Sequence, residues 1–362
     1  MLTRRDHANY KAISASISDA IRAARVICIF FMTYVHVQLF SLGELETSSQ
    51  FQIARSIIRD VAGRASVPLL SIISGFLIVG YLSRRSSLQA AKDRATTLLL
   101  PLITWNLIAL LVFTALNRSQ DISINSIFPF TEHGTQQHLT FLRDLFVVSL
   151  LSPLLIWGLR RTPIIIVMAI ILITAFINTW PVILRAPILM FFTFGLLFGL
   201  YRLENLAIYA WSKRFAYVAF GALLIYAAVS DISQLNTYIQ FTAWIMPPIC
   251  VLTFWSAARW IAAQPLSLRL VRILEPAVFL FYLSHYVTAQ VFAGIYAQFK
   301  FAHTPWIYTL VWITIPVLCF TVAIVGRSIL AVLPNALSIA LSGKSEAQPL
   351  ASPKQVQPKI PT

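Results

Sequence analysis

The sequence predicts an all-α polytopic membrane protein with about ten transmembrane helices and both termini in the cytoplasm. Composition is the first observation: of 362 residues, 58% are hydrophobic and 11% charged, against about 25% charged in soluble domains. The second is spacing. Apolar stretches of about 17 to 25 residues, long enough to cross a bilayer as a helix, recur near 24–43, 64–82, 96–117, 139–158, 163–181, 186–202, 215–231, 240–262, 276–298 and 306–333. The third is charge. Arg4, Arg5, Lys11 and Arg22 precede the first span, and basic residues then gather in every second connection, as at Arg84/Arg85/Lys92/Arg94 and Arg160/Arg161. The alternate connections hold few, chiefly Arg55, Arg59, Arg64, Arg118, Arg185 and Lys300. Because basic loops stay on the cytoplasmic side, the basic connections and both ends are assigned there.

The net charge of +15 is then topological bias plus attraction to anionic lipid, and no nucleic-acid partner is expected. Cys28, Cys250 and Cys319 fall in apolar runs without paired spacing, which predicts neither a disulfide nor a metal site. Residues 1–23 are polar and basic and lack the short apolar core of a removable signal. They are expected to form a cytoplasmic segment leading into a membrane domain over 24–335. From about Ser342 the composition turns to Ser, Gln, Pro and Lys, which cannot build a packed core. Residues 336–362 are therefore expected to be a disordered cytoplasmic tail.

Span one places Arg25 and His36 eleven residues apart. Eleven steps of about 100° return to nearly the same direction, so the two share a helix face, separated by roughly 16 Å of rise. Arg25 falls at the cytoplasmic boundary and His36 in the outer half. Ionisable groups at membrane depth are costly and mark functional sites, although Arg25 also reads as a snorkelling cation and His36 as a packing hydrogen-bonder. In span two Ser71, Ser74 and Gly75 favour close helix approach. Span three combines Pro101, which predicts a kink, with Trp105 and Asn106, for which interhelical contacts are the favoured reading. The connection from Arg118 to His138, with Asp121, Glu132 and His133, is the longest external loop and is read as a candidate lid.

Span four opens with Arg143 and Asp144 at a depth similar to that of His36. They suit either a structural ion pair or a catalytic pair, with Asp144 orienting a base and Arg143 meeting an oxyanion. Gly195 and Gly199 in span six form a small-xxx-small step, a packing signal. Span nine carries Tyr282 and His285, three residues apart and so on one face.

These residues together resemble the integral-membrane acyltransferase 3 family. Arg25 and His36 are similar to its first-span Arg-x10-His pattern, and Pro68 with Ser74-Gly75-Phe76 to its second-span pattern. Leu100-Pro101 with Trp105, the run Phe141-Leu142-Arg143-Asp144, and Tyr282 with His285 follow in the family's order. The resemblance covers roughly residues 20–335. Because the residues from 342 onward do not supply a hydrolase-like domain, the chain resembles the stand-alone type, which modifies exopolysaccharide or O-antigen.

The resemblance implies an O-acyltransferase of the bacterial inner membrane. It would move an acetyl or succinyl group from acyl-CoA on the cytoplasmic side to a hydroxyl of an exported glycan or lipid-linked oligosaccharide. No permanently bound cofactor is expected. His36 is the candidate general base, with Asp144, Arg143 and His285 as further catalytic candidates. Arg25, Arg84 and Arg85 are assigned to the donor, while Arg64 and Tyr282 are assigned to substrate. A secondary transporter or glycan exporter, which would consume no acyl-CoA, stands as the alternative.

Overall fold

A computed structural model describes residues 14–37, 49–116, 124–127, 136–176, 183, 185–202, 214, 217–222, 224–225, 239–299 and 304–344, and every regular element among them is helical. The apolar stretches dictate this. In lipid each backbone N–H and C=O must be bonded internally, which a helix does within one segment. Among the described residues, three helical stretches are long and apolar enough to cross a membrane: Ser87–Ala115, Thr140–Arg161 and Trp306–Leu330. Ser66–Leu82, Pro163–Thr174 and Ala186–Tyr201 are shorter apolar helices. Their outward faces carry exposed Leu111, Leu154, Ile164, Ile165, Leu310 and Val325, which is costly in water and neutral in lipid. The expected span near 215–231 lies largely outside the described residues, as do residues 1–13, most of the loop from Arg118 and everything beyond Lys344.

Helix α1 (Ala15–His36) is N-capped by Ser14, whose Oγ accepts from the Ile17 N–H. Helix α2 (Ser49–Ser56) continues through a π turn (Ile57–Ala62) and a 3-10 turn (Gly63–Ala65) into α3 (Ser66–Leu82). The second span is thus the lower part of a longer irregular rod. Helix α4 (Ser87–Arg94) runs through another π turn (Ala95–Leu99) into α5 (Leu100–Ala115). Proline has no N–H to bond back into the preceding turn, so a π turn just before Pro101 is the distortion expected there.

A four-residue helix α6 (Ile124–Ile127) and a 3-10 turn (Gln137–Leu139) lead into α7 (Thr140–Arg161). Then follow α8 (Pro163–Phe176), α9 (Ala186–Tyr201), α10 (Ile239–Ala263), α11 (Pro265–Ala297), α12 (Pro305–Leu330) and α13 (Asn335–Ser342). Helix α1 packs against α3, α10 and α11, so the first span sits inside the bundle. Its Cys28, Ile29, Met32, Thr33 and Tyr34 are buried.

Residues 336–342, assigned to the tail from the sequence, are helical. Residues 335–342 form α13 and pack against α5, where the Trp105 Nε1–H donates to the Leu341 carbonyl at 2.9 Å. Buried Ser338 and Ser342 face this contact region, and Gly343 ends the helix at φ 68°, a conformation glycine adopts without strain. The polar composition sets in only from about Ser342, so 336–342 have the apolar residues to pack as a helix.

The closest approach between helices is α3 against α9. A side chain added at Gly75 would overlap the Phe192 carbonyl, and one at Gly195 would overlap the Ile72 carbonyl. The glycines therefore serve packing, as their spacing indicates, and bring the backbones into contact where dispersion is strongest. Gly195→Leu forces these helices apart and is expected to destabilise the protein by at least about 2 kcal/mol. Thermal unfolding in detergent would register that change, and an unaltered midpoint would contradict the described contact.

Candidate active site

Two helices set the site's register. On α1, Arg25 and His36 lie eleven residues apart; on α11, Glu275 and His285 lie ten apart. The corresponding rises are about 16 and 15 Å. At one end Arg25 Nη1 lies 3.2 Å from Glu275 Oε1, and Asp19 accepts from Arg22 and Arg272, each at 2.9 Å. At the other end the His36 and His285 rings are 5.5 Å apart between centroids. The two helices therefore run side by side in the same direction, with ion pairs at the foot and imidazoles at the head. The Arg25 side chain is 39% exposed, so solvent screening limits that pair to about 1 kcal/mol at most. Its contribution is alignment more than stability.

A third imidazole, His138, completes the cluster. Its ring centroid is 4.4 Å from that of His285 and 5.3 Å from that of His36, and Tyr282 and Tyr286 border it at 5.4 and 5.7 Å. His138 and His285 are buried and His36 is half-buried. The Tyr282 hydroxyl donates to the His138 carbonyl at 2.6 Å, pinning the 3-10 turn to α11. From the opposite side the Gln136 side-chain amide donates to the Trp105 carbonyl at 2.6 Å, and the Gln136 backbone N–H to Asn106 Oδ1 at 3.2 Å. Trp105 and Asn106 thus hold the turn in place, in keeping with their structural reading.

Among the described residues, His138 Nδ1 and Nε2, His285 Nε2 and Gln136 Oε1 are buried without a hydrogen-bond partner. Each such atom costs about 1–3 kcal/mol. Four on neighbouring residues mark a place prepared for a polar ligand or proton traffic. His285 is the most defined of them. Its Nδ1 lies 2.8 Å from the Tyr282 carbonyl and 3.3 Å from that of Phe281. A carbonyl only accepts, so Nδ1 carries the hydrogen and Nε2 the lone pair. The guanidinium of Arg185 acts electrostatically on His36, His138 and Tyr282, and that of Arg59 on His36.

Arg143 and Asp144 are buried at the start of α7, with Arg143 Nη1 donating to Asp144 Oδ1 at 2.7 Å. The second carboxylate oxygen accepts from the Arg185 backbone N–H at 3.1 Å, tying α7 to the entrance of α9. Tyr282, assigned to substrate from the sequence, is buried, with its hydroxyl given to the His138 carbonyl. The Arg64 side chain lies outside the described residues.

Arg84 and Arg85 line an open cleft of about 680 Å³ together with Ser86, Ser87, Arg160 and Arg161, with Pro153, Ile156 and Trp157 as its apolar wall. Among the described residues, no carboxylate lines it. Arg84 Nε donates to the Gly80 carbonyl at 3.0 Å, and Arg161 sits over the Trp157 ring at 4.3 Å. Near Arg25, Arg94 lies over the Tyr81 ring, and the Tyr81 hydroxyl donates to Asp93. The foot of α1 is therefore lined by paired charges with Arg94 nearby, and its head by imidazoles.

Sequence reasoning assigns His138 to the external lid, yet it is 2% exposed and central to the cluster. The available signal is its position: an ionisable residue just before an apolar span that opens with Arg143 and Asp144. Among the described residues, no group of His, Cys, Asp and Glu is arranged to hold a metal ion. The cluster is built of imidazoles, side chains able to take and give protons.

A family model described as an acyltransferase domain, that of the acyltransferase 3 family, matches residues 18–326. No curated protein and no solved structure matches the chain. Tyr282→Phe removes the bond that holds the His138 turn and is expected to cost about 1–2 kcal/mol. Hydrogen exchange should also accelerate at the 137–139 amides, and unchanged protection there would show that the turn is held by other contacts.

Proposed function

The chain belongs to the acyltransferase 3 family, an enzyme family of membrane acyltransferases, and we propose that it transfers an acetyl or succinyl group from acyl-CoA to a hydroxyl of an exported bacterial glycan. The observation that carries this reading is His36, half-buried at the head of α1 among imidazoles whose buried nitrogens lack partners. The alternation of basic connections supports ten spans in the inner membrane with both termini cytoplasmic. In that orientation Arg25 is at the cytoplasmic edge and His36 toward the outer half.

The donor then enters from the foot of α1. Arg25, Arg84 and Arg85 attract its phosphates, since guanidinium groups bind phosphate oxygens in bidentate fashion. The pantetheine arm rises along α1 over a length comparable to the roughly 16 Å between Arg25 and His36. The acceptor approaches the head from the other side, where Arg64 is the candidate for an anionic group on the substrate. Tyr282, first assigned to the substrate, supports the His138 turn in this scheme.

His36 takes the proton from the acceptor hydroxyl as the oxygen attacks the thioester carbonyl carbon. The new C–O bond forms, the C–S bond breaks, and coenzyme A leaves as the thiolate, to which the imidazolium returns the proton. A cation or N–H donor must meet the oxyanion formed in between. The lone pair on His285 Nε2 unsuits that residue for the task, so Arg143 is the better candidate, fixed in place by Asp144.

His36→Ala should lower turnover by at least about a hundredfold while insertion and folding persist, measured as free thiol released per glycan modified by the purified protein. Full turnover by that variant removes His36 from the chemistry. Solute movement without thiol release would favour a transporter. Arg25→Gln should raise KM for acyl-CoA several-fold, by roughly the loss of one charge-assisted contact, and leave KM for the acceptor alone. The reverse pattern would place the donor elsewhere.

A further inference from the structure

We propose that His285, and not Asp144, is the group that orients the His36 imidazole, an inference that rests on the reading of His36 as the base. A base imidazole uses one nitrogen to take the proton, and its other N–H must be held by an acceptor that fixes tautomer and ring direction. From the sequence, Asp144 is the natural candidate. In the structure its carboxylate accepts from Arg143 Nη1 at 2.7 Å and from the Arg185 backbone N–H at 3.1 Å. Those bonds engage both carboxylate oxygens and join α7 to the entrance of α9.

His285 presents what the position requires. The hydrogen bond from Nδ1 to the Tyr282 carbonyl at 2.8 Å leaves the lone pair on Nε2, which is buried without a partner. The His36 ring lies 5.5 Å away between centroids, at an interplanar angle of 52°. Two imidazoles joined by one N–H···N bond of about 2.9 Å have centroids roughly 5 Å apart. A small turn of the His36 ring closes that bond. His138, at 5.3 Å, is slightly nearer, but its ring nitrogens make no hydrogen bond comparable to the 2.8 Å contact that sets the His285 tautomer.

In the reaction, His285 keeps its own hydrogen on Nδ1 and gains none. His36 accepts the hydroxyl proton on one nitrogen while its other N–H is shared with His285 Nε2, and the imidazolium then yields its proton to the departing thiolate. Tyr282 supports both partners: its carbonyl fixes the His285 tautomer, and its hydroxyl holds the turn that carries His138. His285 is a positioning residue in this scheme and touches no reacting atom.

The test uses the full-length protein in nanodiscs, with steady-state acyl transfer and nitrogen-15 NMR of the histidine rings. His285→Leu removes the acceptor, whereas His285→Gln keeps an oxygen near the place of Nε2. The expected result is a fall in kcat of about a hundredfold in the Leu variant, with KM for acyl-CoA unchanged to within about twofold. The Gln variant should retain at least roughly a tenth of wild-type kcat. His36 should show one tautomer in the wild type and a mixture in His285→Leu, while Asp144→Asn leaves the single tautomer in place. Wild-type kcat in His285→Leu, equal losses in the Leu and Gln variants, or a mixed His36 tautomer in the wild type would each overturn the proposal. The last needs no variant to fold. His36→Ala measured alongside separates the two readings, since turnover in that variant defeats the base itself, whereas inactivity there with wild-type kcat in His285→Leu defeats only the positioning.

Discussion

The pairing of α1 with α11 is the constraint on which the rest of the site depends. Arg25 meets Glu275 at the foot of the pair and His36 meets His285 at its head, and because rise per residue is fixed, setting one rung sets the other. The salt bridges at the foot are half in solvent and weak individually. Their number matters more than their strength: Arg25–Glu275 and Arg272–Asp19 both join the same two helices, so a slip by one turn would break both and part the imidazoles.

The head of the pair is held by a shell of hydrogen bonds from three other helices and the turn itself. Asn106, Trp105 and Gln136 fix the turn from α5, Tyr282 fixes it from α11, and Arg143, Asp144 and Arg185 close the wall between α7 and α9. Around four unsatisfied buried atoms this amount of support is needed, because a loosely held polar cluster would relax until its nitrogens found partners. Packing elsewhere supplies the offset. The glycine contacts of α3 with α9 and the burial of α1 on several sides are where the bundle gains the dispersion energy that an under-bonded site forgoes.

How much of this the sequence discloses follows from the range of each interaction. The all-α class is a property of composition and run length, and Gly75, Gly195 and Gly199 advertise close approach through size alone. Arg25 and His36 are legible as one face because helical period is local. Glu275 is not, since its partner is 250 residues away and nothing near it in sequence distinguishes it from a solvated carboxylate. His138 hides for the same reason: it stands at the end of a polar loop, and it is brought inside by tertiary bonds, from Tyr282, 144 residues on, and from Gln136 to Trp105 and Asn106. Asp144 illustrates the converse. Its local pairing with Arg143 is readable, but its second contact, to the Arg185 backbone, is a tertiary one that changes which job it is suited to.

The proposed mechanism requires the acyl donor to lie along α1, with its phosphates at the foot and its thioester at the head. A cryo-electron microscopy structure of the protein with a non-hydrolysable thioether analogue of acyl-CoA would reveal this arrangement. Nucleotide phosphates are expected within reach of Arg25 and the acyl carbonyl beside His36, near His138 and His285. An analogue bound with its acyl group away from His36, or along helices other than α1 and α11, would contradict it.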